Sequence, residues 1–135
     1  MSKDALTFER LSLVNATRCE AAFHQINDWS PTDWACAMGG ECGEALNKVK
    51  KLRRLDGADF QLDVRGQREK LKQEILDELA DTIIYADLLA TRLGGGLEEA
   101  IIRKFNEVSD RRDCKIKLPE RDLTMRSGNG EHPKD

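Results

Sequence analysis

Four acidic residues fall into two pairs of equal spacing, Glu41 with Glu44 and Glu78 with Asp81. Side chains three residues apart are neighbours on a helix surface, so on helical segments each pair sets two carboxylates side by side. Carboxylates crowded beside an apolar stripe lose hydration and repel one another, which calls for a compensating cation. Hard oxygen donors suit Mg²⁺ or Mn²⁺, and Mg²⁺ is commonly shared between carboxylates and the phosphates of a substrate. The expected chemistry is therefore phosphate chemistry. A single such pair is ordinarily a solvated surface feature balanced by lysines at helical spacing, here Lys48, Lys51 and Lys70. Duplication beside two apolar stripes sets these four apart. So does the Gly39-Gly40 step just before Glu41, because each glycine inside a helix costs about 1 kcal/mol relative to alanine and implies close approach of a helix or a ligand.

The elements that must carry these residues read as helices. Alternating apolar and polar runs and hairpin dipeptides are scarce, and aromatics are only 5% of the chain, so strands are not expected. A first helix is predicted from Thr7 to Ile26, with Phe8, Leu11, Val14, Ala21 and Phe23 or His24 along one stripe. Ser30 and Pro31 then form a helix start, the serine as cap and the proline with its φ preset.

The second helix is predicted from Pro31 to Arg54. At about 100° per residue, Met38, Cys42, Ala45, Leu46, Val49 and Leu52 form its core-facing stripe, while Glu41 and Glu44, continued by Lys48 and Lys51, lie at the edge. Leu55 to Gly66 reads as a loop. A third helix from Gln67 to Leu93 repeats the pattern, with Leu71, Ile75, Leu79, Ala86 and Leu93 as the buried stripe and Glu74, Glu78, Asp81 and Tyr85 on the adjoining edge. Gly94-Gly95-Gly96 stops it. A fourth helix, Leu97 to Arg112, carries Leu97, Ile101, Phe105 and Val108 on one side, and the polar segment from Pro119 onward is expected to be disordered. The fold class expected is all-α: a four-helix bundle in one domain, residues 1–118, with a tail at 119–135. Its apolar faces are to be completed by oligomerisation.

Composition narrows the function. The chain has 135 residues with Lys plus Arg 22 against Asp plus Glu 25, a net charge of -3, so it lacks the basic field of a nucleic-acid binder. No apolar run is long enough to span a bilayer and the first residues lack a signal-peptide core, so a soluble, cytoplasmic protein without a membrane partner is expected. Cys19, Cys36, Cys42 and Cys114 show no metal-knuckle or redox-pair spacing, and His24 and His132 are far apart. Reduced thiols are expected, with Cys36 and Cys42 serving as small hydrophobes.

Three stretches together, GGECGEALNKVKKL, ILDELADTIIYADLLATRL and LEEAIIRKFNEVSDRR, resemble the MazG-type all-α nucleoside triphosphate pyrophosphohydrolases, a group related to dCTP pyrophosphatases and dimeric dUTPases. The resemblance spans about Trp29 to Arg111. It implies the all-α NTP pyrophosphatase bundle, and long helices with apolar edges in so small a chain make a homodimer the expectation, with a homotetramer as the alternative. It also implies that Glu41, Glu44, Glu78 and Asp81 hold Mg²⁺, with Mn²⁺ as a substitute, and that Tyr85 contacts the nucleotide phosphates. The implied reaction is attack of water on the α-phosphorus of a nucleoside triphosphate, releasing a monophosphate and pyrophosphate. One of Glu41 and Glu44 would take the proton of the attacking water, and spacing does not choose between them. Lys48, Lys51, Lys104 and Arg111 are candidates for neutralising the leaving pyrophosphate. Trp29, with Trp34 and His24 near it, is the candidate for stacking on the base.

The chain departs from the family pattern at three places. Gly40 stands where many members have a further Glu, the connection through Leu55 to Gly66 is longer than usual, and Val108 replaces the Asn between Lys104 and Arg111. These departures keep a second class of function open, a non-catalytic helical module that binds nucleotide or metal. A phosphoribosyl-ATP pyrophosphatase is a third reading, differing in substrate alone.

Overall fold

The computed structural model describes residues 5–56 and 64–119. Among them are four α-helices and one 3-10 turn and no strand: α1 Phe8–Ala22, the turn Ile26–Asp28, α2 Pro31–Asp56, α3 Val64–Arg92 and α4 Leu97–Arg111. The chain divides into two compact units, Met1–Leu97 and Glu98–Asp135.

In the first unit, local chemistry sets the helix ends. Thr7 caps α1, its hydroxyl accepting the Arg10 amide at 3.1 Å. The helix closes earlier than its apolar pattern predicts, because the Phe23 and His24 amides both turn back to the Cys19 carbonyl. A capping arrangement between Gln25 and Asp28 then starts the 3-10 turn. At α2, Ser30 Oγ accepts the Asp33 amide while the Asp33 carboxylate accepts the Ser30 amide at 2.9 Å and its hydroxyl at 2.7 Å. This reciprocal cap holds the Asp33 carboxyl below its ordinary range. α2 runs two residues past the expected Arg54, and α3 begins at Val64, so Gly66 is helical rather than loop. The rest of the predicted loop, residues 57–63, lies outside the described residues. α3 ends as predicted at the glycine run, with Gly94 at φ +73 and the Gly95 amide bonded to the Ala90 carbonyl.

α2 and α3 form the main packing pair, and α1 and the 3-10 turn lie against α3. Trp34 meets Tyr85, Glu41 meets Asp81 and Lys48 meets Glu74, so α2 and α3 run antiparallel. The core is Cys19, Ile26, Trp34 and Leu88, with Ala16, Trp29, Tyr85 and Leu89 packed on it. The predicted rotations of the helices are only partly realised. On α1 the buried positions are Asn15 and Cys19, whereas Val14, Ala21 and Phe23 of the expected stripe are exposed. On α2, Ala45 is buried and Met38 and Leu52 are half-buried, but Cys42, Leu46 and Val49 face outward. On α3, Leu79 and Leu93 are likewise exposed. The seam of α2 instead follows Trp34, Met38, Glu41, Ala45, Lys48 and Leu52, an i, i+3, i+4 row with two charges, of which Lys48 pairs across the seam and Glu41 faces further acids. Cys36 and Cys42, expected as small hydrophobes, are both exposed. At Gly39 and Gly40 an added Cβ would meet nothing within 4 Å, so no close approach within the chain explains the two glycines.

In the second unit, α4 shows Ile101, Phe105 and Val108 at its surface. Past its end Asp113 adopts φ +50 and the Cys114 amide returns to the Ser109 carbonyl. Asn106 then clamps Leu118, donating to its carbonyl at 2.9 Å and accepting its amide at 2.8 Å. The expected tail falls, from residue 120, outside the described residues. No helix of the described residues is long and apolar enough to cross a membrane.

Candidate functional site

The antiparallel pairing brings one acid of α2 and two of α3 to one place. Glu41, Glu78 and Asp81 each present a carboxylate oxygen within 4.8 Å of the others. Glu41 and Glu78 are half-buried and Asp81 is exposed. Partial burial, together with the neighbouring charges of Glu78, Asp81 and Glu44, pushes the Glu41 carboxyl above its ordinary range. Glu78 moves the opposite way. Lys48 donates to it at 3.0 Å and lies 3.6 Å from Glu74, and this ammonium holds the Glu78 carboxyl low. Three hard oxygen donors within 4.8 Å of one another are a donor set that fits a small divalent cation.

Asp81 also lines a second feature, a cavity of about 360 Å³. Its aromatic side is built from His24, Trp29, Trp34 and Tyr85. The His24 and Trp29 rings are 4.6 Å apart, Trp29 and Trp34 4.7 Å, and Trp34 and Tyr85 6.2 Å. Trp34 is fixed, 1% exposed, with its indole N–H donated to the Ile26 carbonyl at 3.1 Å. Trp29 is half-buried, and its carbonyl accepts Arg92 Nε at 2.9 Å, which ties the loop before α2 to the end of α3. The His24 ring bonds through Nδ1 to the Gln25 carbonyl at 2.9 Å, and since a carbonyl only accepts, Nδ1 carries the hydrogen. The remaining side is polar, formed by Asn15 and Arg18 of α1.

The structure thus brings together Glu41, Glu78 and Asp81 as an acidic group, with Tyr85 and Trp29 on the cavity that Asp81 joins. Glu44 lies one turn along α2, exposed and outside the group, though its charge reaches Glu41. Lys48 is engaged with Glu74 and Glu78 across the seam, and Lys51 is exposed on α2. Lys104 and Arg111 belong to α4 in the second unit, where Lys104 pairs with Glu107 at 2.8 Å. Sequence reasoning passed over Asn15, Arg18 and Asp87. Asp87 is 1% exposed and Asn15 3%. The available signal was a charge set among Ile83, Ile84, Leu88 and Leu89, a place where an acid persists only with a partner. No protein-family model, no curated protein and no solved structure matches the chain.

Proposed function

We propose that the protein is a Mg²⁺-dependent nucleoside triphosphate pyrophosphohydrolase. The observation that carries this reading is the double membership of Asp81, which belongs both to the carboxylate group and to the lining of the aromatic cavity. A ligand that is anionic at one end and planar at the other fits that adjacency, and a nucleotide has this form. Glu41, Glu78 and Asp81 would hold the metal ion, with Glu44 beside them. When bound, the ion supplies charge neutralisation for the phosphates and acidifies water. One of Glu41 and Glu44 would accept the proton of the attacking water. Trp29 supplies a face for the base, and Tyr85, four residues after Asp81 and also on the cavity lining, is the candidate for contact with the phosphates. Lys48 keeps Glu78 ionised and oriented, and Lys51 is the remaining candidate on α2 for phosphate contact.

A homodimer or homotetramer is part of the same proposal. Leu46, Val49, Leu76, Leu79 and Ile83 on α2 and α3 are between 45% and 61% exposed, which is more apolar surface on two neighbouring helices than a small chain ordinarily leaves in water. The test of function is incubation of the purified protein with a panel of NTPs and dNTPs, with and without Mg²⁺, resolving products by chromatography. Mg²⁺-dependent monophosphate and pyrophosphate are the expected products. Diphosphate and orthophosphate would refute attack at the α-phosphorus, and absence of turnover by folded protein across the panel would favour the binding module.

A further inference from the structure

Behind the cavity a short chain of polar groups runs from solvent into the core. Arg18 Nη2 donates to Asn15 Oδ1 at 3.2 Å, and Asn15 Nδ2 donates to the Ile84 carbonyl and to Asp87 Oδ2, each at 3.0 Å. The orientation of the Asn15 amide follows from its neighbours. A carbonyl and a carboxylate both accept, so the atom facing them must be the NH₂. Both amide hydrogens are thereby used, and Oδ1 is left as the sole polar atom Asn15 can offer a ligand. It offers only an acceptor. Beside it Arg18, which also lines the cavity, offers only donors. A buried acid is costly without a partner, and Asp87 has a structural reason to sit here only because it pins this amide.

We propose that Arg18, Asn15 and Asp87 form the base-reading edge of the cavity, selecting a heterocycle with an exocyclic amine beside an acceptor ring nitrogen. That is the edge of cytosine and adenine. On the same edge uracil and thymine present a carbonyl oxygen and a ring N–H instead, which sets acceptor against Oδ1 and donor against the guanidinium. Asp87 is a positioning residue in this scheme: it touches no ligand but prevents the amide from rotating to accept the opposite pattern. Asp87 follows Asp81 by about 9 Å along α3 at 1.5 Å per residue, and Asp81 lines the same cavity as Asn15 and Arg18. The inference rests on the reading that a nucleotide occupies the cavity.

The test uses binding rather than turnover. Trp29 and Trp34, both lining the cavity, are the two tryptophans of the chain and report occupancy by fluorescence quenching. The full chain is titrated with cytidine, adenosine, uridine and guanosine monophosphates without divalent cation. The cytidine nucleotide is expected to bind at least about tenfold tighter than the uridine one, which has the same ring size and the opposite donor and acceptor pattern. Arg18→Met, at an exposed position that leaves the core intact, and Asn15→Leu are expected to reduce that ratio to about twofold or less, Asp87→Asn to an intermediate value. A purely structural role would weaken all four nucleotides alike and leave the ratio standing. Equal binding of all four by the wild type, quenching by none, or a ratio unchanged in Arg18→Met overturns the proposal. Mg²⁺-dependent hydrolysis without base preference would defeat this inference alone, whereas selective binding without hydrolysis would defeat the enzymatic reading alone.

Discussion

Two stretches of the α3 surface bury polar groups in opposite ways. Toward its C-terminal end, Asp87 is almost wholly enclosed, yet Asn15 donates to it and Asn15 in turn is held by the Ile84 carbonyl and Arg18. Two turns earlier, Glu78 and Asp81 face Glu41 in a seam that is only half-closed, and Lys48 answers the charge on one side alone. The first arrangement is complete within the chain. The second leaves like charges opposed, so the first group is held in one orientation before any ligand arrives, whereas the second is left in want of a cation.

Substitutions at the two places should therefore change different properties. The largest expected effect is structural: Trp34→Ala, which empties the fixed wall of the cavity, should cost about 3–5 kcal/mol of stability, measured by denaturant unfolding. Glu41→Gln, by contrast, should leave stability in chelator equal or higher, because it removes repulsion. If it destabilises instead, the seam is a finished ion network and the comparison fails. Next in size is activity. Asp81→Asn should reduce kcat/KM for the preferred triphosphate at least about a hundredfold with an unchanged circular dichroism spectrum.

Mg²⁺ itself should stabilise the wild type by about 2.7 kcal/mol at a concentration of 100 times its Kd, and by far less in Asp81→Asn. Lys48→Met sharpens the same point. Removing the ammonium beside Glu78 should raise Mg²⁺ affinity, read by isothermal titration, if Lys48 answers charge that the ion would otherwise answer.

The smallest expected effect is the pH dependence in chelator. Glu41 holds its proton to higher pH in the fold than in the unfolded chain, so its contribution is unfavourable once ionised and stability falls as pH rises through its raised range. Glu78 has the opposite sign: its pairing with Lys48 stabilises the fold above the ordinary carboxylate range and is lost as pH falls through its lowered one. Glu41→Gln should flatten the decline on the alkaline side of the carboxylate range, and Lys48→Met should flatten the decline on the acid side. Both are read from Tm across pH.

The sequence by itself determined the four helices and the ends that have a local cap or stop. Ser30 with Asp33, Pro31, Thr7 and the Gly94-Gly95-Gly96 run act within a few residues of their own position, so their effect is decided locally. It also determined that Glu41 and Glu44, like Glu78 and Asp81, lie one turn apart. Tertiary structure decided how each helix is rotated about its axis. The apolar stripe of α2 gave no unique answer, because Leu46 and Val49 compete with Trp34 and Ala45 for the same interior and a single chain of this size does not enclose both sets. Once Trp34 fills the core, Glu41 and Lys48 are carried into the seam and Glu44 out of it. Asn15 and Asp87 meet across 72 residues of sequence, a contact no local periodicity encodes, because it exists only where α1 lies on α3.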